Sequence, residues 1–230
     1  MTAATTRVPG ARRWPIGAGA LLVLLVGVGW LVGFSSVLGV HTVVVSGTRL
    51  LSPAQVSSAA AVRPGSPLSR LDTAAIRARV AALPQVRTVT VRTSYPSTVL
   101  IQVTERVAVG YRAVADGAGL VDADNVQFRT QSRPPAGLPQ LATAVPGRSE
   151  EAAAVAAVAG ALPPELARRV SLISAASTES VTLRLFDGRL VLWGGTDRGA
   201  DKARLMTALL RQPGRYYDIS DPSSVISRGA

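Results

Sequence analysis

No Asp, Glu, Lys or Arg occurs between Trp14 and Thr48, and the part of that stretch reading PIGAGALLVLLVGVGWLVGF, Pro15 to Phe34, is almost wholly apolar. A helix that crosses the hydrocarbon core of a bilayer needs about 20 such residues, so the charge spacing predicts a single transmembrane helix over 14–36. Arg7, Arg12 and Arg13 stand before it, and the first acid of the chain is Asp72. By the positive-inside bias, residues 1–13 form a cytoplasmic tail and everything beyond the span is extracytoplasmic. A cleaved signal peptide competes with this anchor, because Val37-Leu38-Gly39 supplies small residues at suitable spacing. Its apolar region is usually about 7 to 15 residues long, and Ile16 to Phe34 exceeds that. Gly29 and Gly33 make a G-x-x-x-G face that could seat another transmembrane helix; glycine is also common in such helices.

The span accounts for part of the 47% hydrophobic content. The charged residues are 24 Arg and one Lys against 14 acids, a net charge of +11. Such an excess suits an anionic surface or partner, but heavy Ala, Arg, Val and Gly usage with a single Lys is also what a GC-rich genome writes into any exposed position, and that is the stronger reading. The 3 Phe, 4 Tyr and 3 Trp are scattered, so the basic-aromatic clustering that stacks bases is missing and no specific nucleic acid is expected. No cysteine means no disulfide, no thiolate zinc site and no thiol nucleophile.

Beyond the span, VHTVVVSG reads as a strand ending in a glycine turn. Ser52-Pro53-Ala54-Gln55 is a capping-box helix start, and Asp72 caps a second helix with Ile76, Val80 and Leu83 on one face, stopped by Pro84. Two strands follow. Val89 and Val91 share a face of one, and Val99, Ile101 and Val103 share a face of the other. Strand, helix, helix, strand, strand is a small sheet with helices on one side.

After Tyr111 the pattern is mainly short strands. YRAVADGAGLVDADN predicts a hairpin turning at Asp116-Gly117, and Ser149 caps an Ala-rich helix with Glu150 and Glu151 in its first turn. In SVTLRLFDGRLVLWGG, Asp187-Gly188 reads as a two-residue turn that sets Leu185 opposite Leu190 and Leu183 opposite Leu192, with Arg184 and Val191 on the other face. A helix from about Asp197 to Arg211 follows, its Arg198, Lys202 and Arg204 mostly solvated. YYDISDPSSVISR supplies a last extended segment, which Pro222 confines to a sheet edge.

No enzymatic constellation is expected from these residues. His41 stands alone at the start of a strand beside the bilayer, without the acids or cysteines of a metal site or triad. Asp116, Asp122 and Asp124 lack the glycine and terminal Glu of a calcium loop. Glu105 and Arg106 are adjacent on a strand and so face opposite ways, marking a strand end between two modules. No catalytic residue, cofactor, metal or small-molecule substrate is expected.

Several words of this sequence occur together in one known family: Gly65-Ser66-Pro67-Leu68, Leu71-Asp72, Leu83-Pro84-Gln85-Val86, Val91-Arg92, Tyr95-Pro96 and Val103-Thr104-Glu105-Arg106. With the βααββ order just outside a single span, they resemble the bacterial cell-division family FtsQ/DivIB and its POTRA domain. The resemblance implies an α+β chain: a POTRA-like domain over 37–106, then a mainly antiparallel β domain with flanking helices over 107–230, ending in an edge strand. It implies a non-enzymatic divisome scaffold in the cell membrane at the septum. Its implied partners are FtsB and FtsL and, indirectly, the septal peptidoglycan synthases. The docking residues it implies are Tyr216, Tyr217, Asp218, Ile219, Ser220, Asp221, Pro222, Ser223, Ser224 and Val225, which without it read equally as a plain terminal edge. A POTRA-bearing secretion or assembly component is the rival; nothing after Arg106 repeats as a barrel would.

Overall fold

The computed structural model describes residues 19–27, 39–143, 149–224 and 226–228. Residues 19–27 are helical, and Leu21 through Val26 are all exposed there. The remainder of the expected span, the tail 1–13, and Gly29 and Gly33 lie outside the described residues. Among the described residues no helix is long and apolar enough to cross a membrane. From Gly39 onward they fall into two compact units. The first runs to Leu83 and resumes over Thr88–Thr104; the second takes Pro84–Arg87 and everything from Glu105.

The first unit comprises β1 (Thr42–Ser46), α1 (Pro53–Ala60), a 3-10 turn (Leu68–Arg70), α2 (Thr73–Ala81), β2 (Val86–Ser94) and β3 (Thr98–Glu105). Its sheet order is β1-β3-β2. β1 lies parallel to β3, Val43 opposite Val99 and Val45 opposite Ile101. Parallel pairing requires a crossover, which the two helices and β2 supply. Each helix starts where its cap dictates. Ser52 Oγ accepts from Gln55 N–H at 3.2 Å while Gln55 Oε1 accepts from Ser52 N–H at 2.8 Å. Asp72 Oδ1 accepts from Ala75 N–H at 2.9 Å. The helices bury Val56, Ala60, Ile76 and Val80 against Val99, Ile101 and Val103, as the alternation of β3 requires. Gly47 ends β1 with φ 83°, and a Cβ there would lie 2.0 Å from the Val103 carbonyl oxygen, so no other residue fits.

The second unit carries a nine-stranded sheet in the order β12-β11-β10-β9-β8-β7-β4-β5-β6. Its strands are β4 (Gly110–Val114), β5 (Gly117–Val121), β6 (Gln127–Gln131), β7 (Gln140–Thr143), β8 (Val170–Ala175), β9 (Val181–Leu185), β10 (Leu190–Gly194), β11 (Tyr216–Asp218) and β12 (Ile226–Arg228). The helices are α3 (Glu150–Ala161), α4 (Pro164–Ala167) and α5 (Gly199–Leu209). Five of the eight joints are antiparallel. The other three, β4 with β7, β7 with β8 and β10 with β11, are parallel. The last two arise because α3 with α4, and α5, act as crossovers between neighbouring strands.

The core lies under α3 and α5, where Val155, Val158 and Met206 pack with Ile173, Leu183, Val191, Trp193 and Tyr217. Ser149 Oγ caps α3 by accepting from Ala152 N–H at 3.2 Å. The β4–β5 turn falls at Ala115-Asp116, with Val114 already paired to Gly117, one residue earlier than the glycine suggests.

The β9–β10 register also differs from the expected one. Leu190 faces Arg184, Val191 faces Leu183 and Leu192 faces Thr182. Leu185 N–H donates to Arg189 O at 2.9 Å and Gly188 N–H to Leu185 O at 3.1 Å, so the loop holds three residues, 186–188, with Gly188 at φ 88°. A three-residue loop with a left-handed last position shifts the pairing by one and turns every β10 side chain over. Val191 and Trp193 therefore enter the core, while Leu190 and Leu192 face away from it.

Candidate partner-docking surface

The C-terminal stretch Tyr216–Val225 does not form one extended edge strand. Of its described residues, 216–224, only Tyr216–Asp218 are strand. It lies parallel to β10, with Leu190 opposite Tyr216 and Leu192 opposite Asp218, and Ile219 N–H continues the ladder to Leu192 O at 2.9 Å. Tyr217 and Ile219 point into the core, and the Tyr217 hydroxyl donates toward the Gln212 and Gly214 carbonyls at 2.9 and 3.2 Å. These two residues anchor the strand and are not surface groups. Tyr216 and Asp218, on the other face, are half-buried.

Residues 219–224 are a turn. Ser224 N–H donates to Asp221 O at 3.0 Å, and Asp221 Oδ1 accepts from Ser223 N–H at 3.0 Å and from Ser223 Oγ at 2.6 Å. Pro222 sits at the second position of this turn, where its fixed φ is suited and no N–H is needed. It therefore marks a reversal of the chain and not an edge. Val225 lies outside the described residues.

The edge itself is β12, antiparallel to β11, with Ile226 opposite Asp218 and Arg228 opposite Tyr216. Three residues long and last in the sheet order, it presents backbone groups that an incoming strand can pair with. The Ile226 side chain is 42% exposed.

Beside this edge lies the sheet face opposite the helices. Leu172, Arg184, Leu190 and Tyr216 stand in one row across β8, β9, β10 and β11, directly opposite one another in register. Ser174, Thr182, Leu192, Asp218 and Ile226 form the next row and carry it onto the edge strand. The result is a mixed strip, Leu172, Leu190, Leu192 and Tyr216 beside Ser174, Thr182, Asp218 and the exposed Arg184, leading to the edge strand. The one-residue shift of the β9–β10 register is what brings Leu190, Leu192 and Arg184 to the same side. Asp187-Gly188 is compatible with a two- or a three-residue loop, and only the longer one puts these side chains on this face.

A polar network fixes the turn that presents this edge. Lys202, expected in solvent, is completely buried; its Nζ donates to the Gly195 carbonyl at 3.0 Å and to Asp197 Oδ1 at 2.9 Å. Arg198, in a left-handed conformation just before α5, pairs with Asp197 and, at 3.2 Å, with Asp221. The hydrogen bonds from Ser223 and then from Arg198 push the Asp221 carboxyl down to about 2, and those from Lys202 and Arg198 lower that of Asp197. The only lysine in the chain was the available signal. With every other cation an arginine, a lone Lys at the start of an amphipathic helix is a compact ammonium suited to a tight carbonyl pocket.

The strand end Glu105-Arg106 has a structural role within the second unit. Arg106 pairs with the buried Asp122 and lies 3.6 Å from Asp124, which also pairs with Arg87 at 3.1 Å. Asp122 Oδ1 in turn accepts from Val126 N–H at 2.8 Å and Asp124 N–H at 3.1 Å. These acids are consumed by arginines and by their own turn. Among the described residues no group of three or more His, Asp or Glu is placed to hold a metal ion.

Residues 38–106 match the sequence model of the POTRA domain, FtsQ-type, and residues 111–223 that of cell division protein FtsQ/DivIB, C-terminal. Cell division protein FtsQ of Mycolicibacterium smegmatis is 43% identical over 206 residues, covering 89% of this chain and 62% of that protein. The protein of the same name from Mycobacteroides abscessus is 40% identical over 88% of this chain and 65% of its own length. For that of Streptomyces collinus the figures are 39%, 92% and 86%. The chain thus spans less than two thirds of these two mycobacterial relatives and most of the streptomycete one. Two family models laid end to end and this level of identity leave one conclusion: the chain belongs to the FtsQ/DivIB family of bacterial cell-division proteins.

Proposed function

We propose that this chain is a bitopic scaffold of the division machinery, held in the cell membrane at the septum by residues 14–36, with its N-terminus cytoplasmic and both compact units outside. It has no catalysis of its own. It receives FtsB, in complex with FtsL, at the C-terminal corner of the second unit and through them helps regulate the septal peptidoglycan synthases. The observation that carries the docking site is the edge strand β12 adjoining the row Leu172, Arg184, Leu190 and Tyr216. A partner strand adds to the edge, and an apolar, acid-bearing segment of the same partner lies along the strip with its carboxylate toward Arg184.

Nine of the ten residues of the C-terminal stretch, Tyr216 to Ser224, are thereby sorted by task. Tyr217 and Ile219 hold the strand in the core, Asp218 to Ser224 set the turn, and Tyr216 offers contact. Gly29 and Gly33 remain the candidate face for a neighbouring transmembrane helix. Calorimetry of the full chain in detergent against an FtsB segment tests the proposal. Saturable binding that Ile226→Pro abolishes, with unchanged circular dichroism, supports it; binding untouched by Ile226→Pro and by Arg184→Glu refutes it.

A further inference from the structure

We infer that the end of the first unit from which β1 starts is a contact surface for anionic phospholipid headgroups. The inference rests on the reading of 14–36 as a membrane span. Gly39 forms a bridge with Pro67, Val40 N–H donates to Ser66 O at 2.9 Å and Gly65 N–H to Val40 O at 2.8 Å. On the neighbouring strand, the His41 and Thr42 N–H groups donate to Ser97 O at 2.9 and 3.2 Å. Two chain reversals, 61–72 and 95–97, are thus fastened to the first residues of β1, while the reversal 47–52 follows its far end. Gly39 is five residues beyond Phe34, a contour of no more than about 18 Å, so this end of the unit faces the bilayer from which the chain emerges.

What the near end displays suits a charged interface. The first unit carries six arginines against a single acid, Asp72. Two of the six, Arg63 and Arg70, are exposed within the near reversal. Tyr95, at the tip of the other, is 60% exposed, an aromatic ring with an apolar body and a polar tip such as sits at headgroup level. An open cleft of about 540 Å³ beside the 61–72 reversal is lined by Arg63 and Ser66, with Asp72 and Arg79, whose Nε and Nη2 donate to the Ala60 carbonyl at 3.1 and 2.6 Å, at its wall. Guanidinium groups bind phosphate oxygens in pairs of parallel hydrogen bonds, and at physiological salt their charge reaches only about 8 Å. Charge at this end is therefore within reach of headgroups, whereas Arg49, beyond the far end of β1, is screened from them.

The absence of cysteine allows a direct test on the full chain. A fluorophore on Ser97→Cys reports the near end and one on Ser46→Cys the far end of β1, each in nanodiscs of phosphatidylcholine with or without phosphatidylglycerol. With the anionic lipid present, quenching by headgroup-labelled lipid is expected to be at least about twofold stronger at 97 than at 46, and Arg63→Glu with Arg70→Glu to remove the excess. Tyr95→Ala, which changes no charge, is expected to lower the excess in both lipids. Equal quenching at the two positions, or an excess indifferent to phosphatidylglycerol and to both sets of variants, overturns the inference. Alkaline extraction separates the two ideas: a chain washed from the bilayer overturns the span and this surface together, whereas a retained chain with equal quenching overturns the surface alone.

Discussion

In the first unit, the residues that start each helix are neighbours in the chain. Ser52 and Gln55 cap each other, and Asp72 caps Ala75. At the C-terminal corner of the second unit no side chain caps the start of α5, and the polar contacts reach across longer stretches of chain. Lys202 reaches back to Gly195 and Asp197, and Arg198 reaches forward to Asp221. A local cap forms as soon as its helix does, and its loss removes little else. A tertiary network forms only when the whole corner is folded, so losing one member leaves buried partners unsatisfied. The corner that presents the edge strand should therefore be the more fragile of the two.

Lys202→Ala is the largest test of that contrast. It empties a fully buried site and strands the Gly195 carbonyl, and a loss of about 2 to 3 kcal/mol is expected by urea denaturation of the full chain in detergent. A cost below that of a cap would reverse the comparison. Gly47→Ala probes backbone in the first unit: with φ 83° and the Val103 carbonyl in the way, it is expected to cost about 2 kcal/mol. Ser52→Ala removes only the local cap, and about 1 kcal/mol is expected. Gly188→Ala has open space around it but keeps φ 88°, and a loss of about 1 kcal/mol is expected; what separates the three-residue loop from a two-residue turn with both central residues left-handed is that Asp187 has no positive φ.

The same contrast sets what could be seen in the sequence. Caps, alternation in β3 and the βααββ order are written in neighbouring residues, and the first unit follows them closely. The β9–β10 register depends on whether a loop closes over two residues or three, and Asp-Gly is compatible with both. Once that count is off by one, Leu190 and Leu192 move from core to open face and the strip beside the edge disappears from view. Pro222 misled in a similar way, since a proline marks a turn as readily as an edge. The burial of Lys202 depends on a carbonyl seven residues away, and no periodicity encodes it.

The smallest expected effect concerns pH and isolates one member of the network. Asp221 is exposed, and its carboxyl is pushed from the ordinary 3.8 down to about 2 by Ser223 first and Arg198 after it. A carboxylate whose folded value is depressed adds stability that is fully present above its unfolded value and is lost as pH falls through the folded one. The 219–224 turn is therefore expected to hold unchanged down to about pH 4 and to loosen between about pH 4 and 2, well below any physiological range. Amide exchange at Ser223 and Ser224, whose N–H groups donate to Asp221, reads this directly. In Asp221→Asn the same amides should exchange faster at neutral pH and lose the acid-dependent step. Because the side chain is exposed, global stability should barely move. An acid step that survives in Asp221→Asn would assign the turn's rigidity to another carboxylate, Asp218 being the nearest, through its bonds to Ser220.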